Sequence, residues 1–373
     1  MKVLISGGGT GGHIYPAIAI ANAIKALVPD AEFLFVGAED RMEMQKVPQA
    51  GYDIIGLPIA GLQRGLSVGN MVKNLFFPFK LIKSLWRARA IVKGFKPDVA
   101  VGVGGYASGP MLWAATAAGV PALIQEQNSY AGLTNKLLAK RAKKICVAYE
   151  GMDKYFPAHK LVYTGNPVRK EIVNASLLKL PGLFEFKFAA DRKTILVIGG
   201  SLGARTINES IAGGLEKIRQ AGYQLIWQTG KSYFTKAQQL AAAGPRSNGW
   251  GDAKVYEFIS RMDLAYAVAD VVISRAGALS ITELCTAEKP CILVPSPNVA
   301  EDHQTKNAQA LANVQAAILV KDADANATLV DTVLALLADE AQQKVLKTNI
   351  ATLSKPDAAE VIAKEVIKLH VKI

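Results

Sequence analysis

Short apolar segments alternate with longer segments of helical pattern along the first half of the chain. The helical segments, such as 17–27 and 110–118, repeat their apolar residues at the spacing of one helix face. This repeated order of strand and helix is typical of a parallel sheet with helices on both of its faces. The apolar segments predict buried strands at residues 3–6, 32–36, 98–103, 122–125 and 145–148.

The alternation pauses at 166–192, a stretch with two prolines and a glycine, and we predict an interdomain linker region there. We therefore predict an N-terminal domain at 1–165 and a C-terminal domain at 193–373. Packing of the last helix against the N-terminal domain is left open. Two Rossmann-like, doubly wound domains facing across a cleft are the predicted architecture, with ligands beyond the carboxyl ends of the strands. In the second half, strands are predicted at 194–198, 225–228, 254–257, 271–274, 291–295 and 317–320.

Length and composition agree with two folded domains. The chain has 373 residues, half of them hydrophobic and a fifth charged, which suits buried parallel sheets. Apolar runs fall short of the roughly 20 residues that span a bilayer. The N-terminus enters a strand directly, without a secretion signal, so we expect a cytoplasmic protein. The cysteines Cys146, Cys285 and Cys291 lack CxxC spacing and are predicted to be core thiols.

The net charge of +12 indicates an anionic partner, which leaves nucleic acid, a membrane surface and phosphorylated ligands open. Residues 61–97 contain eight cations and no acid, and 75–89 interleaves these cations with Phe, Leu and Trp. That pattern is typical of a helix at an anionic membrane surface, although an amphipathic helix packed on the sheet would show it too. Nucleic acid is disfavoured because no nucleic-acid motif is present.

The first strand leads into a glycine-rich turn at 6–13, where glycines let phosphate or sugar approach backbone amides. A tight turn without a ligand is the alternative. The turn matches GxGxxG, but Glu39 and Asp40 come late for a nicotinamide-type ribose contact. His13 follows the glycines directly and is a candidate general base, unless it only hydrogen-bonds the helix start.

Two further loops of the first half carry candidate chemistry. A second glycine-rich loop at 102–108 is predicted on the same sheet edge, which implies a ligand between the two loops. The amides and hydroxyls of 125–135 suit sugar hydroxyls and acetamido groups, because amides donate and accept hydrogen bonds. Simple helix capping by Asn128 or Ser129 is the alternative.

The second half repeats the design. The turn at 199–205 offers phosphate-binding amides and the Ser201 hydroxyl, with a structural turn as the alternative. Small residues after Arg275 open a helix whose N-terminus suits a diphosphate, and Glu283 can accept both hydroxyls of a ribose. Arg275 is either a diphosphate or base contact or a surface cation, and Gln304 is a candidate for donor-sugar hydroxyls. The Asp-Ala-Asp sequence at 322–324 lies far from these turns, so no metal site is predicted.

The strings GGGTGGHIYPAIAIA, GVGGYASGP, QEQNSYAGLTNKLLAKRA, TGNPVR, GGSLGAR, SRAGALSITEL and EDHQTKNA span nearly the whole chain. In this order and spacing, they resemble the MurG family. The resemblance implies an α/β GT-B fold and an inverting hexosyltransferase that moves GlcNAc from UDP-GlcNAc to lipid I. The C4 hydroxyl of the muramoyl sugar would attack as UDP departs, giving lipid II for peptidoglycan synthesis, cell-wall biogenesis and cell division.

The resemblance also assigns roles to residues of this sequence. His13 would be the base, Tyr106 and Asn135 are implied acceptor-side contacts, and Ile259 would contact uracil through its backbone. Family members often have His at Gln125 and Gln at Leu202, so those contacts are not carried over. The residues implied for UDP-GlcNAc are Thr10, Gly11, Gly12, Asn128, Arg169, Ser201, Ile259, Arg275, Ala278, Leu279, Ser280, Glu283 and Gln304.

The implied partners are UDP-GlcNAc, lipid I and an anionic membrane surface, with no nucleic acid. No tightly bound cofactor is implied, and stimulation by a divalent cation stays open. The implied location is peripheral, at the cytoplasmic face of the bacterial inner membrane. The alternatives are another GT-B enzyme, such as a diacylglycerol glycosyltransferase or a UDP-GlcNAc 2-epimerase, and a non-catalytic sugar-nucleotide binder.

Overall fold

The computed structural model describes residues 1–59, 61, 75, 77–200, 203–243, 253–299 and 302–371. It divides the chain into two compact units. Unit 1 comprises Met1–Pro167 and Lys355–Ile373, and unit 2 comprises Val168–Ser354. The three cysteines are free and buried, as predicted, and burial raises the pKa of the Cys146 thiol to about 12.

Unit 1 contains a parallel sheet in the order β3-β2-β1-β4-β5-β6-β7. The five predicted strands of this half are confirmed, whereas β3 and β7 were not predicted. Both lie at the sheet edges, where strands are less buried and their apolar pattern is weak. The strands are β1 (Lys2–Ser6), β2 (Glu32–Ala38), β3 (Ile54–Leu57), β4 (Val99–Gly102), β5 (Ala122–Glu126), β6 (Lys144–Val147) and β7 (Leu161–Tyr163).

Helices cover both faces of this sheet. Side chains of a strand alternate between faces, so Leu4 enters one apolar cluster while Val3 and Ile5 enter the other. The C-terminal helix contributes Ile362 and Val366 to the second cluster and so completes the core of unit 1. The helices are Gly11–Leu27, Glu43–Gln49, Phe77–Phe95, Ser108–Ala117, Leu133–Leu138 and Ala358–His370, with 3₁₀ turns at Met152–Lys154 and Ala158–Lys160.

Unit 2 contains a parallel sheet in the order β10-β9-β8-β11-β12-β13, and all six strands were predicted. They are β8 (Thr194–Ile198), β9 (Gln224–Gln228), β10 (Ala253–Tyr256), β11 (Val271–Ser274), β12 (Cys291–Leu293) and β13 (Ile318–Leu319). The helices are Lys170–Val173, Lys179–Phe186, Arg205–Gln220, Phe234–Ala242, Met262–Val268, Ala278–Thr286, His303–Asn313, Ala325–Ala338 and Glu340–Thr352, with 3₁₀ turns at Ala175–Leu178 and Asp322–Asp324.

The division into units differs from the predicted boundaries at both ends of unit 2. Residues 168–192, predicted as a linker, form short helices within unit 2. A side chain at Gly182 would collide with the Leu264 carbonyl and Val268. This glycine therefore lets the helix Lys179–Phe186 approach the helix Met262–Val268 closely. The last helix belongs to unit 1, the option that the prediction had allowed.

Each sheet reverses its strand order once, between β1 and β4 in unit 1 and between β8 and β11 in unit 2. Ligands of doubly wound sheets bind at such reversals, beyond the carboxyl ends of the strands. Glycine-rich turns follow β1, β4 and β8, and a small-residue turn follows β11. The topology therefore gathers two of these turns at the reversal point of each unit.

Candidate active site

The turn after β1 presents Thr10 and His13 at the start of the helix Gly11–Leu27. Gly9 has a φ of +89°, which a residue with a side chain adopts only with strain. Thr10 precedes the helix in an extended conformation, and its carbonyl accepts the His13 amide at 3.1 Å. The Thr10 Oγ1 and His13 Nδ1 atoms lie 3.2 Å apart. This contact holds the His13 ring at the start of the helix.

A buried carboxylate that sequence analysis did not single out supports this turn. Glu43 is 1% exposed, and its two oxygens accept the amides of Gly9 at 2.9 Å and Ala38 at 3.0 Å. Side chains at Gly8 and Gly37 would overlap Glu43. Its partners are backbone groups in two other segments, which residue type does not reveal, and the only sequence signal is an acid at a helix start.

The two glycine-rich turns of unit 1 touch each other. A side chain at Gly105 would come within 2.3 Å of the Gly8 carbonyl oxygen, and one at Gly104 within 2.9 Å of the His13 ring. We predicted both turns on one edge, and the structure confirms this. Their contact leaves no room for a ligand between Gly8 and Gly105.

The amide-rich loop after β5 is built around the buried carboxylate of Glu126. One oxygen accepts the amide of Asn128 at 3.1 Å and its side-chain nitrogen at 3.3 Å. The other accepts the Gly132 amide at 3.0 Å and Asn135 Nδ2 at 2.8 Å. Burial raises the pKa of Glu126, and these hydrogen bonds act in the opposite direction. Asn128 is half-buried at the loop surface, where the resemblance predicts the transferred sugar.

The two predicted acceptor-side residues differ in exposure. Tyr106 is 50% exposed, and its ring lies where a side chain at Gly61 would be. Asn135 is 2% exposed and donates to Glu126 beneath the loop. The covered side chain of Asn135 therefore supports the loop from beneath.

Gln125 is fully buried. Its Nε2 donates to Asn166 Oδ1 at 2.8 Å, and Asn166 Nδ2 donates to the Gln127 carbonyl at 2.9 Å. Gln127 Nε2 in turn donates to the Val103 carbonyl at 2.6 Å and to Gln125 Oε1. Gln125 is therefore part of an amide network beneath the loops.

In unit 2, Gln228 connects two of the loops that follow strands. The Gly200 carbonyl accepts Gln228 Nε2 at 3.1 Å, and the Ile259 amide donates to Gln228 Oε1 at 2.9 Å. The backbone amide of Ile259, predicted near uracil, is thus already bonded within the protein. The sequence analysis did not single out Gln228, although a side-chain amide at the end of an apolar strand indicates a possible contact between loops. Ser201 and Leu202 lie outside the described residues.

The turn after β11 opens the helix Ala278–Thr286 as predicted. Gly277 precedes the helix in an extended conformation, and the first intrahelical bond runs from the Ile281 amide to the Gly277 carbonyl at 3.0 Å. The amides of Ala278, Leu279 and Ser280 belong to the first turn, where helix geometry supplies no carbonyl partner. These amides and the helix dipole suit an anionic diphosphate.

Glu283, one turn further along, is paired with Arg169 and Tyr266. Its Oε1 accepts Arg169 Nε at 2.8 Å and a terminal guanidinium nitrogen at 2.7 Å, and its Oε2 accepts the Tyr266 hydroxyl at 3.2 Å. Burial raises the pKa of Glu283, while the Arg169 charge and the hydrogen bonds act to lower it. The structure thus brings together Arg169 and Glu283, two residues predicted to bind UDP-GlcNAc.

Arg275 is held inside unit 2. Its Nη1 donates to the carbonyls of Val294 at 3.0 Å and Pro295 at 3.1 Å and to Asp322. Asp322 also accepts the Thr206 hydroxyl at 3.0 Å. The first acid of the Asp-Ala-Asp sequence is therefore engaged by a cation, and the described residues contain no group of acids, histidines and cysteines that could hold a metal ion.

Gln304 lies at the start of the helix His303–Asn313, as predicted. Its Oε1 accepts the amide of Ser296 at 2.9 Å, which ties the loop after β12 to this helix. The neighbouring Asn307 is fully buried and donates to the Ala276 carbonyl at 3.3 Å in the loop after β11. The side-chain amides of Gln304 and Asn307 thus position the loops after β12 and β11, which are predicted to bind UDP-GlcNAc.

Solved structures with the same architecture include MurG from Acinetobacter baumannii. It has a TM-score of 0.79 and 29% identity to this chain, covering 98% of this chain and 99% of that one. A UDP-GlcNAc 2-epimerase from Neisseria meningitidis, solved with UDP-GlcNAc, has a TM-score of 0.67 at 14% identity and shares the fold alone, covering 99% and 100%. Two parallel doubly wound sheets of seven and six strands form the GT-B fold, as in the glycosyltransferase MurG.

Family models and relatives narrow this class. The glycosyltransferase family 28 N-terminal and C-terminal domains match residues 3–147 and 194–362. Relatives from Bacteroides thetaiotaomicron (57% identical) and Parabacteroides distasonis (56% identical) each cover 99% of this chain and 98% of their own length. Both are named UDP-N-acetylglucosamine--N-acetylmuramyl-(pentapeptide) pyrophosphoryl-undecaprenol N-acetylglucosamine transferase. The chain belongs to the MurG family of glycosyltransferases.

Proposed function

We propose that this enzyme transfers GlcNAc from UDP-GlcNAc to lipid I and so forms lipid II for peptidoglycan. The observation that carries the proposal is the similarity, over 99% of the chain, to relatives whose names state this reaction. The loops described above fall within this similarity. A diacylglycerol acceptor, 2-epimerisation and binding without catalysis are the competing functions.

His13 is the proposed base. In the tautomer that donates Nδ1–H to the Thr10 hydroxyl, the ring would offer Nε2 to the C4 hydroxyl of the muramoyl sugar. The hydroxyl oxygen bonds to the anomeric carbon, its proton passes to Nε2, and the bond to the diphosphate oxygen breaks with its electrons leaving on UDP. Attack opposite the leaving group inverts the anomeric centre. Such a base typically contributes roughly 10² to 10⁴ in rate.

Unit 2 is the proposed donor-binding unit. The first-turn amides of the helix Ala278–Thr286 would stabilise the charge that develops on the departing diphosphate. Glu283 would accept the ribose hydroxyls, and the loop at Ile259 would contact uracil. Because amides and a helix dipole can supply this stabilisation, we propose that no tightly bound cofactor is needed and that a divalent cation at most stimulates turnover.

The enzyme is proposed to work as a peripheral protein at the cytoplasmic face of the bacterial inner membrane. Within the described ranges, no helix has the length and apolar content needed to cross a bilayer. The helix Phe77–Phe95 exposes Phe79, Ile82 and Trp86 beside several cations, which is the composition of an interfacial helix. Peripheral attachment would bring the enzyme to a lipid-linked acceptor.

The test measures UDP release and the glycosylated product with lipid I, with diacylglycerol and without an acceptor. We expect product only with lipid I, and a loss of roughly 10² or more in turnover for His13→Ala with UDP-GlcNAc binding retained. His159→Ala, at an exposed position in the same unit, is the matched control. Product from diacylglycerol, epimerised donor without an acceptor, or unchanged turnover of His13→Ala would each refute the corresponding part of the proposal.

A further inference from the structure

One ion pair connects the ends of four strands of the unit 2 sheet. It joins Asp322, which follows β13, to Arg275, which follows β11. Arg275 Nη1 also donates to the carbonyls of Val294 at 3.0 Å and Pro295 at 3.1 Å, directly after β12. Asp322 Oδ2 accepts the hydroxyl of Thr206, in the helix that follows β8, at 3.0 Å. Because β8, β11, β12 and β13 are neighbours in the sheet, the pair connects four adjacent strand ends.

The pair is largely shielded from solvent. The side chains of Arg275 and Asp322 are 13% and 19% exposed. One carboxylate oxygen accepts the guanidinium and the other accepts the Thr206 hydroxyl, so the orientation of the carboxylate is fixed by both partners. An exposed ion pair contributes little to a structure, whereas removal of one partner from a shielded pair leaves an uncompensated charge. Asp322 is therefore a strong connection between these strand ends.

Two helix N-termini adjoin this connection. Arg275 lies three residues before the helix Ala278–Thr286, whose first-turn amides are proposed to stabilise the donor diphosphate. Thr206 is the second residue of the helix Arg205–Gln220, which follows the glycine-rich turn after β8. The sheet reverses its strand order between β8 and β11, so both N-termini lie at the reversal point. The same carboxylate thus holds a residue at the start of each helix.

We propose that Asp322 is a positioning residue for donor binding. Through Arg275 and Thr206 it holds the two helix N-termini in the arrangement that receives the diphosphate of UDP-GlcNAc. The proposal rests on the proposed function, which places the donor diphosphate at the helix Ala278–Thr286. The attraction between a helix N-terminus and an anion falls off within one turn, so a small displacement of the helix start weakens it.

The Asp-Ala-Asp sequence at 322–324 also permits a different role, in which Asp322 would hold a divalent cation beside the diphosphate. In the structure, its carboxylate is engaged by Arg275 and Thr206, and Asp324 is exposed. The two roles differ in a measurable way. The effect of a positioning residue persists when divalent cations are removed, whereas the effect of a metal ligand disappears.

The experiment compares D322N with D324N in the full chain. Each variant removes one negative charge from the same short sequence, and D324N changes an exposed carboxylate. T206V is a milder variant, because it removes one hydroxyl and preserves the branched shape of the side chain. Calorimetric titration with UDP, in Mg²⁺ and in EDTA, measures donor affinity, and thermal unfolding measures the stability of each variant.

We expect D322N to lower UDP affinity about tenfold and T206V about threefold, equally in Mg²⁺ and in EDTA, because displaced helix amides hold the diphosphate less well. D324N should bind UDP like the unmodified enzyme. A loss of stability alone would reduce the folded fraction without changing its Kd for UDP. Unchanged affinity in D322N and T206V would overturn the proposal, and so would a loss seen only in Mg²⁺. Tighter binding would overturn it too, since Asp322 would then withhold Arg275 from the diphosphate.

A double-variant cycle tests the route through Arg275. If Asp322 acts through this arginine, D322N/R275Q should lose little more UDP affinity than R275Q alone, because residues in one network are not additive. Additive losses would overturn that route. UDP titration needs no acceptor, which separates this inference from the proposed function. An unmodified enzyme that binds UDP but transfers nothing to lipid I would refute the proposed reaction and leave the comparison of D322N with D324N valid.

Discussion

The two units support their loops with carboxylates in different ways. In unit 1, Glu43 and Glu126 accept hydrogen bonds from backbone amides and asparagine side chains, which carry no net charge. In unit 2, Glu283 and Asp322 are paired with the guanidinium groups of Arg169 and Arg275. Uncharged donors in one unit thus correspond to cations in the other.

This difference suggests that the two units have different roles in catalysis and donor binding. The loops around His13 and Asn128 are fixed by internal hydrogen bonds, so unit 1 is organised before a substrate arrives. In unit 2, Glu283 is the proposed ribose acceptor and is already bound to Arg169, so donor binding must share or rearrange that pair. Changes to the unit 1 acids should therefore alter stability and turnover, and changes to the unit 2 pair should alter donor affinity.

The largest effect is expected for Glu126→Gln. Each carboxylate oxygen accepts two hydrogen bonds, so an amide nitrogen at either position would face two donors. We expect a loss of about 2–4 kcal/mol in the free energy of unfolding, because buried donors lose their partners. Urea denaturation measures this loss. Glu150→Gln, at an exposed position in the same unit, should change little, and equal stability of both variants would contradict the role of Glu126.

A smaller effect is expected for Glu43→Gln. One of its two backbone amides would face an amide nitrogen, which should cost about 1–3 kcal/mol and displace the turn that carries Thr10 and His13. In steady-state kinetics we therefore expect kcat to fall and KM for UDP-GlcNAc to rise with it, because Thr10 is also an expected donor contact. The control is Glu39→Gln, whose exposed carboxylate pairs with Arg87. An unchanged kcat would contradict the role of Glu43 in positioning His13.

The smallest of the three effects is expected for Arg169→Ala. Its charge lowers the pKa of Glu283 against the raising effect of burial, so its removal should raise that pKa further. A protonated Glu283 is a poorer acceptor for ribose hydroxyls, and the acid limb of the kcat/KM profile for UDP-GlcNAc should move to higher pH. At neutral pH we expect about a tenfold rise in KM, or about 1.4 kcal/mol.

The pH profile also provides the check on this expectation. Arg192→Ala removes a guanidinium that donates to the Gly222 carbonyl in the same unit and should leave the acid limb in place. An acid limb that moves to lower pH in Arg169→Ala would mean that the arginine does not stabilise the charged form of Glu283. That result would contradict the claim that the Arg169–Glu283 pair of unit 2 controls donor affinity.

Local pattern predicted most of the fold. The buried central strands have long apolar runs, whereas the edge strands β3 and β7 are partly exposed and lack that signal. The glycine-rich turn with Thr10 and His13 could be predicted as a candidate site because glycines and a histidine adjoin a strand end. Glu43 was not singled out because its partners are backbone amides, and only the folded chain brings the distant amide of Gly9 to it.

Side-chain direction explains the remaining differences. The loop sequence around Asn128 and Asn135 indicated polar contacts without indicating which residues face outward. The structure leaves Asn128 at the loop surface and buries Asn135 against Glu126. In unit 2, the bonds of Arg275 to two carbonyls and Asp322 likewise depend on the packing of three separate segments. Residue type alone does not distinguish a ligand contact from a support.

The most direct test of the central claim is a crystal structure of the enzyme with UDP-GlcNAc bound. We predict the diphosphate at the first turn of the helix Ala278–Thr286, ribose hydroxyls on Glu283 with the Arg169 contact shared or displaced, and the hydrogen bonds of Glu43 and Glu126 unchanged. A donor whose diphosphate lies away from that helix, with the Arg169–Glu283 pair intact, would contradict the account.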